Sequence, residues 1–411
     1  MGPIVLFDKS FLQSLSLDEA VLFDHLFTVV ISPLFFVETL ADLEKAVRQG
    51  RTPEQEVGII AEKTPEMNYG VNVFHGSLCL NNLFGGPLEM EGRIYAAGGR
   101  PVKVHGKTGV VFKEPPEAQA FSRWQNGDFL EVERMYAKGW RTALAILKFD
   151  KIIKKLNALG IDPKSCRSLD QAKALADRFV TTQPNYRYLQ FAMGTLGIPM
   201  AHWETIVGRW KESGSPALPK FAPYAAYVLA VDVFFYICLA AKLFSREKIS
   251  NRVDLAYLYY LPFCMAFVSS DKFHRSTTPF FLRLDQEFVW GADLKTGLGQ
   301  IHEYYKGLSE NEKEKGLLSM HGLPPAAEGS SIGRLWDRFC PNWRTSRQNP
   351  IANMDAEAKE RIITMGNSFK DGPTAPPLSH SEFGDLDAIV VSRNVRKKRG
   401  NYWQVPKDLK D

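Results

Sequence analysis

The first fifty residues alternate between short apolar runs and helix-like segments. The run IVLF at 4–7 is continuously hydrophobic, which is typical of a strand covered on both faces. A helical pattern follows it, the buried strand TVVIS occupies 28–32, and Pro33 suits the first turn of the next helix. A third buried strand, CMAFVSS, comes much later, at 264–270. This succession predicts an α/β fold with a mainly parallel central sheet.

The rest of the chain changes character several times. Residues 50–116 are rich in Gly, Pro and Asn and have little periodicity, except for a predicted hairpin around GKTGVVF. Helical patterns dominate from 117 to 246, and from about 322 a Pro-, Gly- and Ser-rich composition predicts flexible or loosely docked segments. We therefore expect a core in two parts, a mostly helical insertion and an extension: residues 1–48 and 222–310, residues 49–221, and residues 311–411.

Composition indicates a globular protein without a large basic surface. The 411 residues are 45% hydrophobic and carry a formal net charge of +5, all of which comes from residues 391–411. The five cysteines show no metal-ligand spacing, and Cys238 and Cys264 lie in apolar runs, which indicates a reducing, cytoplasmic setting. Asp8 and Lys9 interrupt the opening apolar run, so no signal peptide is expected.

One apolar run, YAAYVLAVDVFFYICLAA at 224–241, has nearly the length of a membrane span. Asp232 lies near its middle, where a charge costs roughly 3 kcal/mol on insertion. A helix buried in a protein core is the favoured interpretation, and a membrane anchor is the alternative. A buried carboxylate needs a partner. Asp232 is expected to pair with Arg252 or another buried cation, or to support the candidate site indirectly.

Four acids are placed by this pattern near one edge of the predicted sheet. Asp8 and Asp271 directly follow the first and third buried strands, and Glu38 lies in the helix after the second. Asp254 lies in the first turn of the helix that leads into the third strand. In open parallel sheets the functional crevice lies outside the carboxyl ends of the strands. Each acid taken alone is equally well explained as a helix cap, a turn former or a partner of the helix dipole.

Four neighbouring carboxylates repel one another unless a cation lies between them. Because the set offers only oxygen ligands, the expected cofactor is Mg²⁺ or Mn²⁺. Such a site deprotonates water and neutralises a phosphodiester during its displacement. The sequence therefore predicts metal binding by Asp8, Glu38, Asp254 and Asp271.

Other polar residues are secondary candidates for the same site. Ser10, Ser269 and Ser270 are expected to hydrogen-bond the carboxylates or to be exposed loop serines. Lys272, with His274 close by, is a candidate phosphate contact. Asp42 shares a helical face with Glu38, and a solvated acid is its expected state.

The basic tail is a separate candidate for nucleic-acid binding. It combines four consecutive cations with two nearby aromatic residues, and its predicted contacts are Arg396, Lys397, Lys398, Arg399 and Trp403. Cations attract the nucleic-acid backbone, and aromatic side chains stack on unpaired bases. A tail that docks Trp403 against the body is the alternative.

The order of these motifs resembles the PIN-domain family of nucleases. IVLFDKSFL is similar to its first strand with an acid and a following hydroxyl, here Asp8 and Ser10. TVVISPLFFVETLADL resembles the second strand and the glutamate-bearing helix, and DLAYLYYLPFCMAFVSSDKF resembles the closing acids with their strand and hydroxyls. QEFVWGADL resembles the last strand and turn. The resemblance implies a three-layer α/β/α sandwich and metal-dependent cleavage of RNA.

The resemblance covers about 1–48 and 222–300, and the chain departs from the family in three ways. A long insertion splits the core, the helix that usually carries small residues holds Tyr257, Tyr259 and Tyr260, and a tail follows. We expect a cytoplasmic Mg²⁺- or Mn²⁺-dependent endoribonuclease that acts on RNA and not at a membrane. Its insertion is expected to contact a regulatory partner or a second copy. A catalytically weak or inactive PIN-like module for nucleic-acid binding or regulation is the alternative.

Overall fold

The protein is represented by a computed structural model. It describes residues 2–45, 50–145, 149–181, 185–245, 251–317, 324, 330–345, 356–376 and 386–409. The strands are β1 (Ile4–Phe7), β2 (Thr28–Ile31), β3 (Tyr69–Val71), β4 (Arg100–Val104), β5 (Lys107–Phe112), β6 (Ala266–Ser269), β7 (Glu287–Trp290), β8 (Ala388–Val391), β9 (Lys398–Arg399) and β10 (Tyr402–Trp403).

The α-helices alternate with these strands. They are α1 (Lys9–Ser14), α2 (Leu17–Leu26), α3 (Pro33–Leu40), α4 (Pro53–Lys63), α5 (His75–Leu83), α6 (Pro116–Gln125), α7 (Glu131–Ala145), α8 (Phe149–Ala158), α9 (Leu169–Thr181), α10 (Tyr186–Thr195), α11 (Trp203–Glu212), α12 (Leu218–Phe221), α13 (Pro223–Ala240), α14 (Asn251–Ala256), α15 (Lys272–Thr277), α16 (Gly291–Lys306), α17 (Glu310–Glu314), α18 (Ser331–Phe339) and α19 (Ala356–Lys370). The 3₁₀ segments are Ala41–Glu44, Pro163–Ser165, Met200–His202, Tyr257–Phe263 and Thr278–Phe280.

The central sheet has five parallel strands in the order β3-β2-β1-β6-β7. Val5 of β1 lies opposite Val29 of β2 on one side and Ala266 of β6 on the other. β1 is almost wholly buried, as a continuously apolar strand covered on both faces should be. Helices flank the sheet, so the predicted three-layer α/β/α sandwich is confirmed. From β1 the strand order runs to β2 and β3 on one side and to β6 and β7 on the other, which puts the switch point between β1 and β6.

The edge strand β3 was not predicted, because its three residues, YGV, lie in a segment without clear periodicity. It belongs to the range 49–221 that was assigned to the insertion. Gly70 lets the strand pass under Ile94, because a Cβ at that position would come within 2.9 Å of the Ile94 side chain. The free edge of β3 is covered by Arg393, whose guanidinium donates hydrogen bonds to the carbonyl oxygens of Met67 and Tyr69.

A second, small sheet joins the insertion to the C-terminal extension. β4 and β5 form the antiparallel hairpin predicted around GKTGVVF, and β8 adds to β5 in parallel. Val102 and Val111 pack with Phe369 of α19 in a small hydrophobic cluster of their own. Part of the extension is therefore folded against the insertion. The segments predicted to be loose, around 321–331 and 371–384, lie partly outside the described residues.

The apolar run with Asp232 forms α13, the long central helix. It is long and apolar enough to span a membrane, but 89% of that stretch is buried inside the protein. Tyr224 and Tyr227 of α13 donate hydrogen bonds to the carbonyl oxygens of Tyr259 and Leu258. Pro262 lacks an N–H to bond those carbonyls. Pro262 nevertheless lies inside the 3₁₀ segment, with the two tyrosines as substitute donors.

Candidate functional site

Asp8 is the buried centre of the site. It follows β1, is 4% exposed, and caps α1 by accepting a hydrogen bond from the Phe11 amide at 2.9 Å. Its Oδ2 accepts hydrogen bonds from Ser10 Oγ at 2.6 Å and Ser269 Oγ at 2.8 Å. The predicted role of these two serines as donors to a carboxylate is therefore found, and so is the alternative role of Asp8 as a helix cap.

His274 is held between Asp8 and the backbone of Asp254. Its Nε2 lies 2.7 Å from the carbonyl oxygen of Asp254, which can only accept, so Nε2 carries a proton. Its Nδ1 lies 2.8 Å from Ser269 Oγ. That hydroxyl already donates its one proton to Asp8 and accepts from the Asp271 amide, so Nδ1 must also donate. With the Ser269 proton directed to Asp8, this hydrogen-bond pattern fits His274 as a cation.

The electrostatics agree with this protonation. Burial disfavours the charged ring, but the hydrogen bond and charge of Asp8, with the charge of Asp254, outweigh burial and raise the pKa of His274 to about 8. Burial likewise opposes the ionised form of Asp8, but His274 and the hydrogen bonds from Ser10 and Phe11 outweigh it and lower the pKa of Asp8. Asp8 and His274 thus form a buried ion pair, with Nδ1 3.4 Å from Oδ2.

Asp271 lies at the end of β6, beside Asp8, and caps α15. Its Oδ1 accepts a hydrogen bond from the Phe273 amide at 2.6 Å, while Oδ2 has no hydrogen-bond partner among the described residues. Its neighbour Ser270 packs against the first residue of α16, where a Cβ on Gly291 would come within 2.1 Å of Ser270 Oγ. Of the two consecutive serines, Ser269 thus reaches Asp8 and Ser270 packs against α16.

Asp254 is half-buried in α14, and its carboxylate has no hydrogen bond or ion pair with a described residue. Burial raises its pKa to about 7. The charge of His274 works against this rise, whereas the charges of Glu38, Asp271 and Asp8 add to it. Asp254 therefore lies within the electrostatic field of the other three predicted acids. The four together form what we call the carboxylate rim: Asp8, Glu38, Asp254 and Asp271.

Glu38, in α3, is held by two protein groups. Its Oε1 lies 3.1 Å from Lys9 Nζ, and its Oε2 accepts a hydrogen bond from the Tyr257 hydroxyl at 2.7 Å. Burial disfavours the charge of Lys9, but the charges and hydrogen bonds of Glu38 and Asp42 outweigh burial and raise its pKa. Lys9 was not among the residues predicted for the site. The signal was a lysine in the first turn of a helix, where the dipole disfavours a cation unless acids surround it.

Asp42 was expected to be a solvated acid, and this is wrong. It lies in the 3₁₀ segment after α3, is 4% exposed, and receives a hydrogen bond from Lys9 Nζ at 3.0 Å. Lys45 Nζ adds a second contact at 2.6 Å. Because two lysines neutralise it, Asp42 is stable when buried. It lies beside the rim, because Lys9 contacts both Asp42 and the rim acid Glu38.

Asp232 has the buried partner that was predicted for it. Arg252 Nη2 lies 2.9 Å from Asp232 Oδ1, and the Tyr259 hydroxyl donates a short hydrogen bond to the same oxygen. Burial raises the pKa of Asp232 against the opposing influence of Arg252 and Tyr259. Since Arg252 lies two residues before Asp254, the pair connects α13 to the helix that carries a rim acid.

A cleft of about 720 Å³ opens beside Asp254 and Asp271, and we call it the rim cleft. One side comes from the core, with Asn251, Asp254, Asp271, Lys272, Phe273 and Ser276. The other side is formed by Ser168 and Leu169 at the start of α9 and by Leu243, Phe244 and Ser245 after α13. Lys272 is exposed in this cleft, as a phosphate contact requires. Its predicted role stays a prediction.

The basic tail is docked on the body through two of its predicted nucleic-acid contacts. The Arg399 side chain is fully buried and donates to the carbonyl oxygens of Glu62 and Thr64. Arg396 Nη1 pairs with Glu62 at 2.7 Å. Arg399 also lies 3.6 Å from Asp24, which accepts three amide hydrogen bonds from the segment entering β3.

Arg399 and its partners thus lie at the end of the sheet opposite the rim. Lys397 donates to the carbonyl oxygen of Leu409, and Lys398 is exposed with its ammonium over the ring of half-buried Trp403. The alternative weighed for the tail was docking through Trp403, which is half-buried, whereas the docked contacts described above come from Arg396 and Arg399. Contact of Lys397, Lys398 and Trp403 with nucleic acid stays a prediction.

The carboxylate oxygens of the rim are the ligand type that suits Mg²⁺ or Mn²⁺, but the four side chains are not arranged as a complete metal site. Within the described ranges, no three His, Cys, Asp or Glu side chains are grouped so that they could hold a metal ion. Asp8 and Glu38 already engage protein donors, whereas Asp254 and Asp271 retain carboxylate oxygens without partners. Binding of Mg²⁺ or Mn²⁺ therefore stays a prediction, for which Asp254 and Asp271 offer unpaired oxygens while Lys9 and His274 neutralise the other two acids.

Comparison with known proteins adds no relative: no family model, curated protein or solved structure matches the chain.

Proposed function

We propose that this protein is a metal-dependent endoribonuclease of PIN type, which hydrolyses RNA phosphodiester bonds with Mg²⁺ or Mn²⁺. One relationship supports this function above the others. Asp8 and Asp271 follow β1 and β6, the two strands at the switch point of the sheet, and Asp254 lies in the electrostatic field of both. Ligands of open parallel sheets bind at such switch points.

In this function Asp254 and Asp271 would hold the cation, and Asp8 and Glu38 would add negative charge nearby. A divalent cation at the rim supplies Lewis acidity, which lowers the pKa of water and neutralises negative charge on a phosphodiester. Ser10 and Ser269 fix the orientation of Asp8. His274 ties Asp8 to the backbone of Asp254. Burial, and after it the charges of Glu38, Asp271 and Asp8, raise the pKa of Asp254, and a bound cation would favour its ionised form.

Cleavage of RNA by the purified protein tests this function. Labelled single-stranded RNA and DNA are incubated with Mn²⁺ or with chelator, beside Asp254→Asn and Asp271→Asn. Asparagine also caps helices, so the Asp271 variant keeps its local structure. The matched control is Asp285→Asn, an exposed acid that pairs with Arg283 away from the rim. Cleavage is expected in wild type and control and at chelator background in the two rim variants. Undiminished cleavage in both rim variants would contradict the function.

A second candidate is a PIN-like binding or regulatory module with little or no catalysis. Two observations favour it: Lys9 lies between Glu38 and Asp42, and His274 neutralises Asp8. Cations supplied by the chain itself reduce the demand for a metal. RNA binding without cleavage in Mg²⁺ and Mn²⁺ would support this candidate over the first.

A further inference from the structure

The rim cleft is built from two distant parts of the chain. Its core side carries two rim acids, and its other side comes from the start of α9 and the turn after α13. That turn is held firmly, because the Leu243 amide donates to the Cys238 carbonyl oxygen at 2.8 Å and Lys242 has a positive φ of 62°. The turn after α13, together with the start of α9 from the insertion, therefore supplies a fixed wall opposite the acids.

The most distinctive part of the lining is a pair of half-buried aromatic rings. Phe244 and Phe273 lie with ring centroids 5.0 Å apart, and both line the cleft. Phe244 is supported from behind by Phe234 and Phe235, at 5.9 and 6.0 Å. Rings held in place in this way offer a preformed apolar surface for a flat ligand.

The charged side chains beside these rings determine how an anionic ligand can approach the cleft. Lys272 is exposed next to Asp271, and Asp254 faces the same space. An anion therefore meets one ammonium and two carboxylates, and it needs a divalent cation at the carboxylates to approach closely. Ser168, Ser276 and Asn251 add hydroxyl and amide groups that suit the polar edge of a base.

We propose that the rim cleft binds an unpaired nucleotide of single-stranded RNA, with its base against Phe244 and Phe273 and a phosphate beside Lys272. Within a duplex both faces of a base are covered by its neighbours, so a stacking surface selects single strands. The cleft volume is in the range of sites for small ligands. This subsite deepens the proposed function and rests on it for the choice of RNA.

Binding of a fluorescein-labelled oligouridine, followed by anisotropy in Ca²⁺ and in chelator, tests the subsite. Ca²⁺ is an oxygen-liganded cation that neutralises the acids, and a gel checks that the RNA stays intact. Phe244→Leu removes one of the two stacking rings and is expected to weaken binding roughly tenfold. Lys272→Gln is expected to weaken it several-fold. The matched controls, Phe84→Leu and Lys220→Gln, change an exposed phenylalanine and an exposed lysine outside the cleft and should bind as wild type.

Two further probes separate stacking from charge. An abasic oligonucleotide and the same RNA in a duplex should both bind wild type weakly, and neither should distinguish Phe244→Leu from wild type. If Phe244→Leu melts far below wild type, a 4-thiouridine oligomer is photo-crosslinked to wild type instead. Crosslinks to 243–245 or 271–276 support the subsite, and crosslinks confined to other regions overturn it.

The subsite and the nuclease function fail in different ways. Unchanged affinity in folded Phe244→Leu and Lys272→Gln overturns the subsite, whether or not the protein cleaves RNA. Weakened affinity in these variants supports the subsite even if wild type never cleaves, and in that case the nuclease assignment is the part that fails.

Discussion

Arg252 Nη2 lies 2.9 Å from Asp232 Oδ1 and joins the first turn of α14 to the middle of α13. Asp232 is the acid of an otherwise apolar, buried helix, and Arg252 precedes the rim acid Asp254 by two residues. A buried ion pair of this kind contributes more to the position of its two elements than to net stability. Here it holds the helix from which Asp254 faces the cleft.

Removing one partner of this pair should lower the free energy of unfolding more than removing both partners. Arg252→Met leaves Asp232 buried with Tyr259 as its remaining partner, and we expect a loss of roughly 3–5 kcal/mol in the free energy of unfolding. The double variant Asp232→Leu/Arg252→Met should recover much of that loss. Urea unfolding of the single and double variants measures both effects. Equal losses in the two would show that the charge left behind is not what destabilises the single variant.

Asp254 should make stability fall as pH rises. Its pKa is raised from 3.8 to about 7 in the folded protein, so the unfolded chain releases the proton first. The resulting penalty grows from about pH 4 to about pH 7 and is constant above. Asp254→Asn stays neutral and should be more stable than wild type by up to about 4 kcal/mol near pH 8, with little difference near pH 4.

Urea unfolding of wild type and Asp254→Asn across this pH range measures the difference. Asp285→Asn is the control, because Arg283 lowers the pKa of that exposed acid. A pH-independent gap between Asp254→Asn and wild type would contradict the assigned pKa.

Mn²⁺ should stabilise the folded protein if the rim accepts a cation. A ligand that binds only the folded state at about 100 times its Kd adds about 2.7 kcal/mol, which raises the melting temperature by a few degrees. Wild type should show this rise, and Asp254→Asn should show much less of it. Calorimetric melts in Mn²⁺ are compared with melts in NaCl of equal ionic strength. Equal melting temperatures for wild type in the two salts would favour the module without a metal.

Arg399 should anchor the C-terminal tail. Its side chain is fully buried beside Asp24, so Arg399→Met leaves a buried carboxylate without its cation and should cost roughly 3–5 kcal/mol. Lys398→Met changes the exposed neighbouring cation and should cost less than about 1 kcal/mol. Thermal unfolding compares the two variants. Limited proteolysis, which should release the tail first in Arg399→Met, shows whether the loss is local.

The strands that the sequence predicted are those with strong, continuous patterns. β1, β2 and β6 are short apolar runs buried on both faces, a pattern that is typical of the interior strands of a parallel sheet. β3 could not be predicted, because its three residues are shorter than any useful period. It is a strand because β2 offers it an edge and Arg393 covers its outer side.

In the candidate site, too, some residues could be predicted from the sequence and others could not. The four rim acids were predictable because acids at strand exits converge on one edge of a sheet. The cations Lys9 and His274 were harder to recognise, because their acidic partners come from other segments of the chain. Lys9 pairs with Asp42. His274 pairs with Asp8, and the Ser269 hydroxyl lies between the two. Pairwise contacts between distant segments leave little trace in one sequence. Asp232 with Arg252 was the exception, because a charge inside an apolar helix demands a partner.

The position of β1 has a consequence for protein synthesis. β1 leaves the ribosome well before β6, because Ala266, its neighbour in β6, is made about 260 residues later. At about 5–20 residues per second, this strand waits for tens of seconds with one edge unpaired. Chaperones that shield nascent apolar strands are therefore expected to engage the amino-terminal segment until translation reaches β6 and the rim can close.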